Sequence, residues 1–69
     1  MIDQNEELLK CPCCGERALS EYGSYEICKI CLWEDDPFQS RNPDYAGGAN
    51  SCSLNEARKK WEMKNQPAN

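Results

Sequence analysis

Cys11-Pro12-Cys13-Cys14-Gly15 and Cys28-Lys29-Ile30-Cys31 open and close the stretch CPCCGERALSEYGSYEICKIC, residues 11–31, and their reading decides the fold. Each holds a C-x-x-C, and thirteen residues separate Cys14 from Cys28. Tetrahedral zinc takes four thiolates, and two such pairs let two tight turns each present two sulfurs while a short hairpin brings the turns together. Cys11, Cys14, Cys28 and Cys31 are therefore the candidate ligands of one structural zinc ion. Gly15 supports the first turn, because the chain must bend sharply past the sulfurs and glycine tolerates a positive φ there. Pro12 fixes the entry to it. Two cysteines remain. Cys13 sits inside the first turn, where exchange with Cys14 as ligand stays open, and Cys52 reads as a small, partly buried residue.

Two other readings of the cysteines are weaker. A disulfide scaffold suits six cysteines in a short chain, but nothing marks the sequence for an oxidising compartment. A thioredoxin-like redox pair at residues 11–14 lacks the surrounding βαβ pattern.

The chain has 69 residues, 12 Asp and Glu against 8 Lys and Arg, and no histidine. That length allows one domain, whose core supplies only ~3–5 kcal/mol, so a staple is needed. Without histidine the Ser-His-Asp triad, the Cys-His dyad and the H-E-x-x-H metalloprotease are excluded. No apolar run reaches the ~18 residues of a membrane span, and residues 1–10 carry three acids without a hydrophobic stretch. A cytoplasmic location is expected. The net charge of −4 disfavours a nucleic-acid grip, which needs cations to neutralise phosphates.

Outward from the cysteines the pattern is α+β. Gly23-Ser24 between Tyr22 and Tyr25 suggests a two-residue hairpin turn, although that register faces Glu21 with Glu26, so a bulge or longer loop is an alternative. Residues 32–52 form a long acidic loop whose aromatics Trp33, Phe38 and Tyr45 favour order. Asp36-Pro37 has the composition of one helical turn, with Asp36 as cap and Pro37 in first position. Ser53-Leu54-Asn55-Glu56 is a capping box that predicts a helix over 54–64, with Leu54, Ala57 and Trp61 on one face and Arg58, Lys59, Lys60 and Lys64 towards its end. The expected organisation is a flexible tail at 1–7, a single zinc-binding domain at 8–65 with its knuckles at 11–31, and a second tail at 66–69. The fold class is a small metal-stabilised α+β domain: a zinc-ribbon-like pair of knuckles on a β-hairpin, then an ordered loop and one C-terminal helix.

At these residues the chain resembles the cysteine-rich CPCC family of small bacterial proteins. The matching segments are Cys11-Pro12-Cys13-Cys14-Gly15, Gly23-Ser24-Tyr25-Glu26-Ile27-Cys28 with Cys31, and Trp33-Glu34-Asp35-Asp36-Pro37. Asp44-Tyr45, Gly47-Gly48-Ala49-Asn50, and Ser53-Leu54 with Glu56-Ala57 complete the match, which covers roughly residues 10 to 61. The resemblance implies a zinc-ribbon-like module with an appended helix, and no established activity. Lys29 stands where the family pattern has a proline, and Cys52 is outside that pattern.

Function is expected in binding. Glu34-Asp35-Asp36 is the densest charge cluster, but adjacent carboxylates diverge in direction, which favours structure or surface charge over catalysis or a second, oxygen-ligated metal. The leading expectation is a zinc-stabilised module that docks on a protein with a basic surface through Trp33, Glu34, Asp35, Asp36 and Asp44, of the kind an inhibitor, an immunity or anti-defence protein, or a nucleic-acid mimic would use. A nucleic-acid-binding ribbon resting on Arg58-Lys59-Lys60 is the alternative. An enzyme is not expected, because four thiolates leave zinc no open position for water.

Overall fold

Two cysteine turns, each clasped between short extended segments, form the centre of the domain. The computed structural model describes residues 8–65, and the tails expected at 1–7 and 66–69 lie outside the described residues. The elements are β1 (Leu9–Lys10), β2 (Arg17–Leu19), α1 (Pro37–Arg41) and α2 (Leu54–Lys64). No helix among the described residues is long and apolar enough to cross a membrane.

β1 and β2 pair antiparallel across the first turn, with Leu9 opposite Leu19 and Lys10 opposite Arg17. Ala18 is thus the extra residue of a bulge, which bends the ladder. The second turn is clasped the same way. Ile27 bridges Glu34, and the Cys28 and Asp35 N–H groups donate to Trp33 and Glu26 carbonyls at 2.9 and 2.8 Å.

The hairpin therefore lies elsewhere than the Gly23-Ser24 turn suggested, and that expectation is corrected. Gly23 and Tyr25 both take positive φ, 82° and 58°, which breaks extended chain between them. Glu21 and Glu26, which a tight register would set face to face, part to separate serines. Ser20 donates its N–H and hydroxyl to the Glu26 carboxylate at 2.9 and 2.5 Å, and the Ser24 hydroxyl bonds Glu21.

The acidic loop is ordered by polar side chains. Asp36 caps α1, accepting from the Phe38 and Gln39 N–H groups, with Pro37 in the first turn as expected. Its other oxygen accepts from Ala49 N–H at 2.9 Å. The Ala49, Phe38 and Gln39 donors hold the carboxyl below the ordinary carboxylate range despite its burial. The resulting stabilisation is present above the ordinary Asp value and is lost as pH falls through the lowered one. Gln39, fully buried, donates its amide to the carbonyls of Tyr45, Asn50 and Cys52 at 3.0–3.2 Å and accepts from the Asn50 N–H and side chain. Asn50 in turn pairs with the backbone of Glu34, accepting its N–H at 3.0 Å and donating to its carbonyl at 2.8 Å. A side-chain amide thus extends the ladder of the second turn by one strand-like partner.

α2 starts where the capping box places it: the Ser53 hydroxyl accepts from Glu56 N–H at 3.1 Å, and Glu56 accepts from Ser53 N–H at 2.9 Å. Leu54 is buried, whereas Ala57 and Trp61 are half-buried. Arg58 ties the helix to the first turn through Pro12 O at 2.8 Å. The core is Cys11, Leu19, Cys28, Trp33 and Leu54. A fully buried leucine contributes ~1.5–3 kcal/mol, and this core has two.

Gly48 is needed for close approach. A Cβ there would lie 2.5 Å from Asp36 Oδ2, an atom pinned by Ala49. Gly48→Ala is expected to destabilise the fold by ~1–3 kcal/mol in a denaturant titration of the metal-loaded protein. Ser53→Ala, which removes only a cap, is expected to cost ~1 kcal/mol.

Candidate metal centre

The two cysteine turns repeat one another bond for bond. In the first, Cys11 O accepts from Gly15 N–H at 2.9 Å and Cys11 N–H donates to Glu16 O at 2.8 Å. In the second, Cys28 O accepts from Leu32 N–H at 2.9 Å and Cys28 N–H donates to Trp33 O at 2.9 Å. Both turns end on a left-handed residue, Gly15 at φ 82° and Leu32 at φ 70°. Backbone N–H groups point at the leading sulfur of each turn: Cys13 N–H at Cys11 Sγ, 3.4 Å, and the Ile30 and Cys31 N–H groups at Cys28 Sγ, 3.3 and 3.5 Å. Such donors favour thiolate over thiol.

Cys11, Cys14, Cys28 and Cys31 thereby bring four sulfurs within 4.8 Å of one another. Cys11 Sγ lies 3.6 Å from Cys31 Sγ, and Cys14 Sγ 3.8 Å from Cys28 Sγ. Four sulfurs at ~2.3 Å from a central ion form a tetrahedron with edges of about 3.8 Å, so both crossed pairs have the spacing of ligands. It is far from the ~2.05 Å of a disulfide, and all six cysteines are free thiols. Cys11 and Cys28 are buried; Cys14 and Cys31 are half-buried.

The electrostatics of the cluster are set by burial and by backbone donors. Burial pushes the Cys14 and Cys31 thiols up to about 12. At Cys28 burial acts in the same direction, but the Cys31 and Ile30 N–H groups outweigh it and the thiol lies below its ordinary value. Without a positive ion, Cys14 and Cys31 would keep their protons. A bound dication reverses that balance, because a coordinating thiol is deprotonated outright. The donor set, spacing and burial fit a structural metal ion.

The leftover cysteines stand outside the four. Cys13 is half-buried beside Cys31, its thiol raised chiefly by burial, and Cys52 lies half-buried at the foot of α2. Cys14, not Cys13, contributes the fourth sulfur of the cluster.

Of the five residues expected to meet a partner, three are turned inward. Trp33 is 3 % exposed, Asp35 2 % and Asp36 6 %. Asp35 accepts from Gly23 N–H at 2.8 Å and from the Ser40 hydroxyl at 3.3 Å, pinning the loop before the second turn to α1. Asp36 caps α1, and Trp33 fills the core. The expectation that Trp33, Asp35 and Asp36 form an accessible docking face is therefore corrected: backbone N–H groups needing acceptors drew both carboxylates inside. Glu34 is half-buried and Asp44 exposed, the latter accepting from the Asn55 side chain at 2.8 Å. Gln39, Asn50 and Leu32 are the residues that sequence reading missed. Gln39 and Asn50 had no signal beyond their place in an aperiodic loop, whereas Leu32 was findable as the counterpart of Gly15.

A small α+β fold that brings four cysteines of two facing turns together defines a cysteine-rich domain suited to holding a metal ion. The model of the cysteine-rich CPCC family matches residues 9–64, and the chain belongs to that family. No match was found among curated proteins.

Two outcomes check this site. Cys13→Ser and Cys52→Ser are expected to keep one metal per chain in native mass spectrometry, and Cys14→Ser to lose it. Leu32→Gly is expected to leave stability unchanged or raise it by up to about 1 kcal/mol. Relief of left-handed strain is there offset by the greater chain entropy of glycine. Thermal denaturation of both metal-loaded proteins measures it.

Proposed function

We propose that this chain is a zinc-stabilised, zinc-ribbon-like protein-binding module without catalytic activity. The observation that carries the reading is the closed set of four sulfurs, all within 4.8 Å of one another. A tetrahedral ion held by four thiolates has no position left for water or substrate, so the metal serves the fold. Zinc suits the set because it has no geometric demand beyond the tetrahedron the protein offers and no redox chemistry to quench; iron is the other metal of such sites. The loop over 32–52, longer than a connection requires and fixed by Gln39 and Asn50, gives the module a rigid surface beside the ion.

A protein partner fits the charge better than a nucleic acid. The chain carries −4, and four thiolates with a dication add about −2. Of the basic run, Arg58 is engaged with Pro12 O and Asn55, which leaves Lys59 and Lys60. A basic partner surface remains the long-range expectation from net charge, with Glu34 and Asp44 as the members of the original set still near the surface. Glu34→Gln with Asp44→Asn removes that charge while leaving Asp35 and Asp36 in place. Reduced capture of a partner, with zinc content unchanged, supports the basic-surface reading.

The structural role of the metal has a direct test. Structural zinc contributes an apparent ~10–16 kcal/mol in small finger peptides, more than a core of this size supplies. Chelation is therefore expected to abolish the near-UV circular dichroism of Trp33 and Trp61, and re-addition of zinc to restore it. A retained signal after complete metal removal would overturn the proposal, and native mass identifies the ion.

A further inference from the structure

The second knuckle carries a feature that folding alone does not call for. Gly15 and Leu32 occupy equivalent positions, both left-handed, at the ends of equivalent turns. Glycine takes that conformation freely; a leucine does so at a cost, and such strain concentrates where function over-determines the backbone. Leu32 gains no burial in exchange, being 71 % exposed. Ile30, two residues earlier, is 45 % exposed.

These side chains border a cleft of about 260 Å³ between the second knuckle and α2. Trp33 and Trp61 line it as well, and Lys60 and Lys64 supply its charged groups; no carboxylate lines it. The Trp33 indole N–H belongs to the same cleft's lining residue, is buried, and has no hydrogen-bond partner. The polar demand of this surface, set by Lys60 and Lys64, is thus for anions, and its apolar demand for one large side chain. Its volume falls below the ~300–1,000 Å³ usual for small-molecule sites, which favours a side chain presented on a segment. Two lysines on a chain of net charge −4 are too few to hold a phosphate backbone.

We infer that this cleft is the anchoring site of a partner protein, and that it receives a segment presenting one large apolar side chain beside a carboxylate. This rests on the protein-binding reading and gives that interaction its place and local chemistry. The apolar side chain sits between Leu32 and Trp61, and the carboxylate meets Lys60 and Lys64. Cys31, one of the four clustered cysteines, also lines the cleft, so Lys60 and Lys64 are the source of its positive charge. Net charge acts over a Debye length and governs encounter; the cleft acts at contact and governs which segment stays.

The test uses the full zinc-loaded chain, labelled with ¹⁵N, and two synthetic twelve-residue peptides. One places a leucine between glutamates in a Gly-Ser background, and the other replaces the glutamates with lysines. The glutamate peptide is expected to shift the Trp33 indole N–H and the amides of residues 30–33 and 60–64 saturably, and to bind at least about tenfold more tightly than the lysine peptide. Lys60→Glu with Lys64→Glu should weaken it about tenfold or more. Leu32→Gly should do the same without lowering the thermal midpoint, an outcome that separates recognition from folding. Absence of shifts up to about 1 mM peptide, equal binding of the two peptides, or unaltered affinity in Leu32→Gly overturns the inference. So do shifts that depend on protein concentration alone, which mean a second copy, or shifts that vanish when residues 1–7 are deleted, which mean the chain's own segment. A partner captured equally by the native chain and by Leu32→Gly defeats this site and leaves the protein-binding reading standing. Capture of none by the native chain defeats that broader reading.

Discussion

Four sulfurs held within 4.8 Å of one another are the constraint on which the other contacts depend. As thiolates they repel, and as thiols they bond too weakly to organise a chain with five buried apolar residues. A cation at the centre would convert the repulsion into attraction. The backbone contributes N–H groups aimed at Cys11 and Cys28, so part of the thiolate charge is met before any ion binds. Cys11 and Cys28 also belong to the apolar core, together with Leu19, Trp33 and Leu54. An ion bound by the four sulfurs would therefore tie the core's own members together.

Trp33-Glu34-Asp35-Asp36-Pro37 shows how so short a chain builds beyond the knuckles. Trp33 completes the core, and Glu34 offers its backbone to the Asn50 amide. Asp35 holds the loop at Gly23, while Asp36 holds both α1 and Ala49. A surface acid commonly contributes little, but a carboxylate that accepts several backbone N–H bonds satisfies donors that burial would otherwise leave unpaired. Four of the five consecutive residues thus each fix a different part of the domain, Glu34 through its backbone and the others through their side chains.

What the sequence disclosed follows from how local each signal is. The sulfur ligands were legible because a C-x-x-C is a single turn, and α2 because a capping box lies within four residues of its own start. Asp36 and Pro37 announced α1 for the same reason. The hairpin was misplaced because a Gly-Ser pair between tyrosines is also the composition of a loop, and the contest was decided by Asp35, twelve residues away. The acids were read by their charge, which suggests solvent, whereas their fate was set by donors at Gly23 and Ala49 that no local pattern reveals. Gln39 and Asn50 are the extreme case. Their bonds span six to sixteen residues, and an amide has no preferred role until the fold supplies its partners.

The near-repetition of the two knuckles makes their one difference informative. Matching hydrogen bonds at Cys11 and Cys28 show that both turns solve the same problem of aiming two sulfurs at one point. Gly15 leaves its turn bare, and a Cβ added there would meet nothing within 4 Å. Space, then, is not what distinguishes the positions, and conformational ease favours glycine at both. Arg58 reaches from α2 to the Pro12 carbonyl of the first knuckle. The second knuckle has the cleft in the corresponding relation to the same helix, bordered by Leu32, Trp61, Lys60 and Lys64. One helix thus bonds directly to the first knuckle through Arg58 and, at the second, borders a cleft with apolar side chains and two lysines. A left-handed leucine, its exposure and two lysines meet on the side of the second knuckle, where the fold alone gives the leucine no purpose.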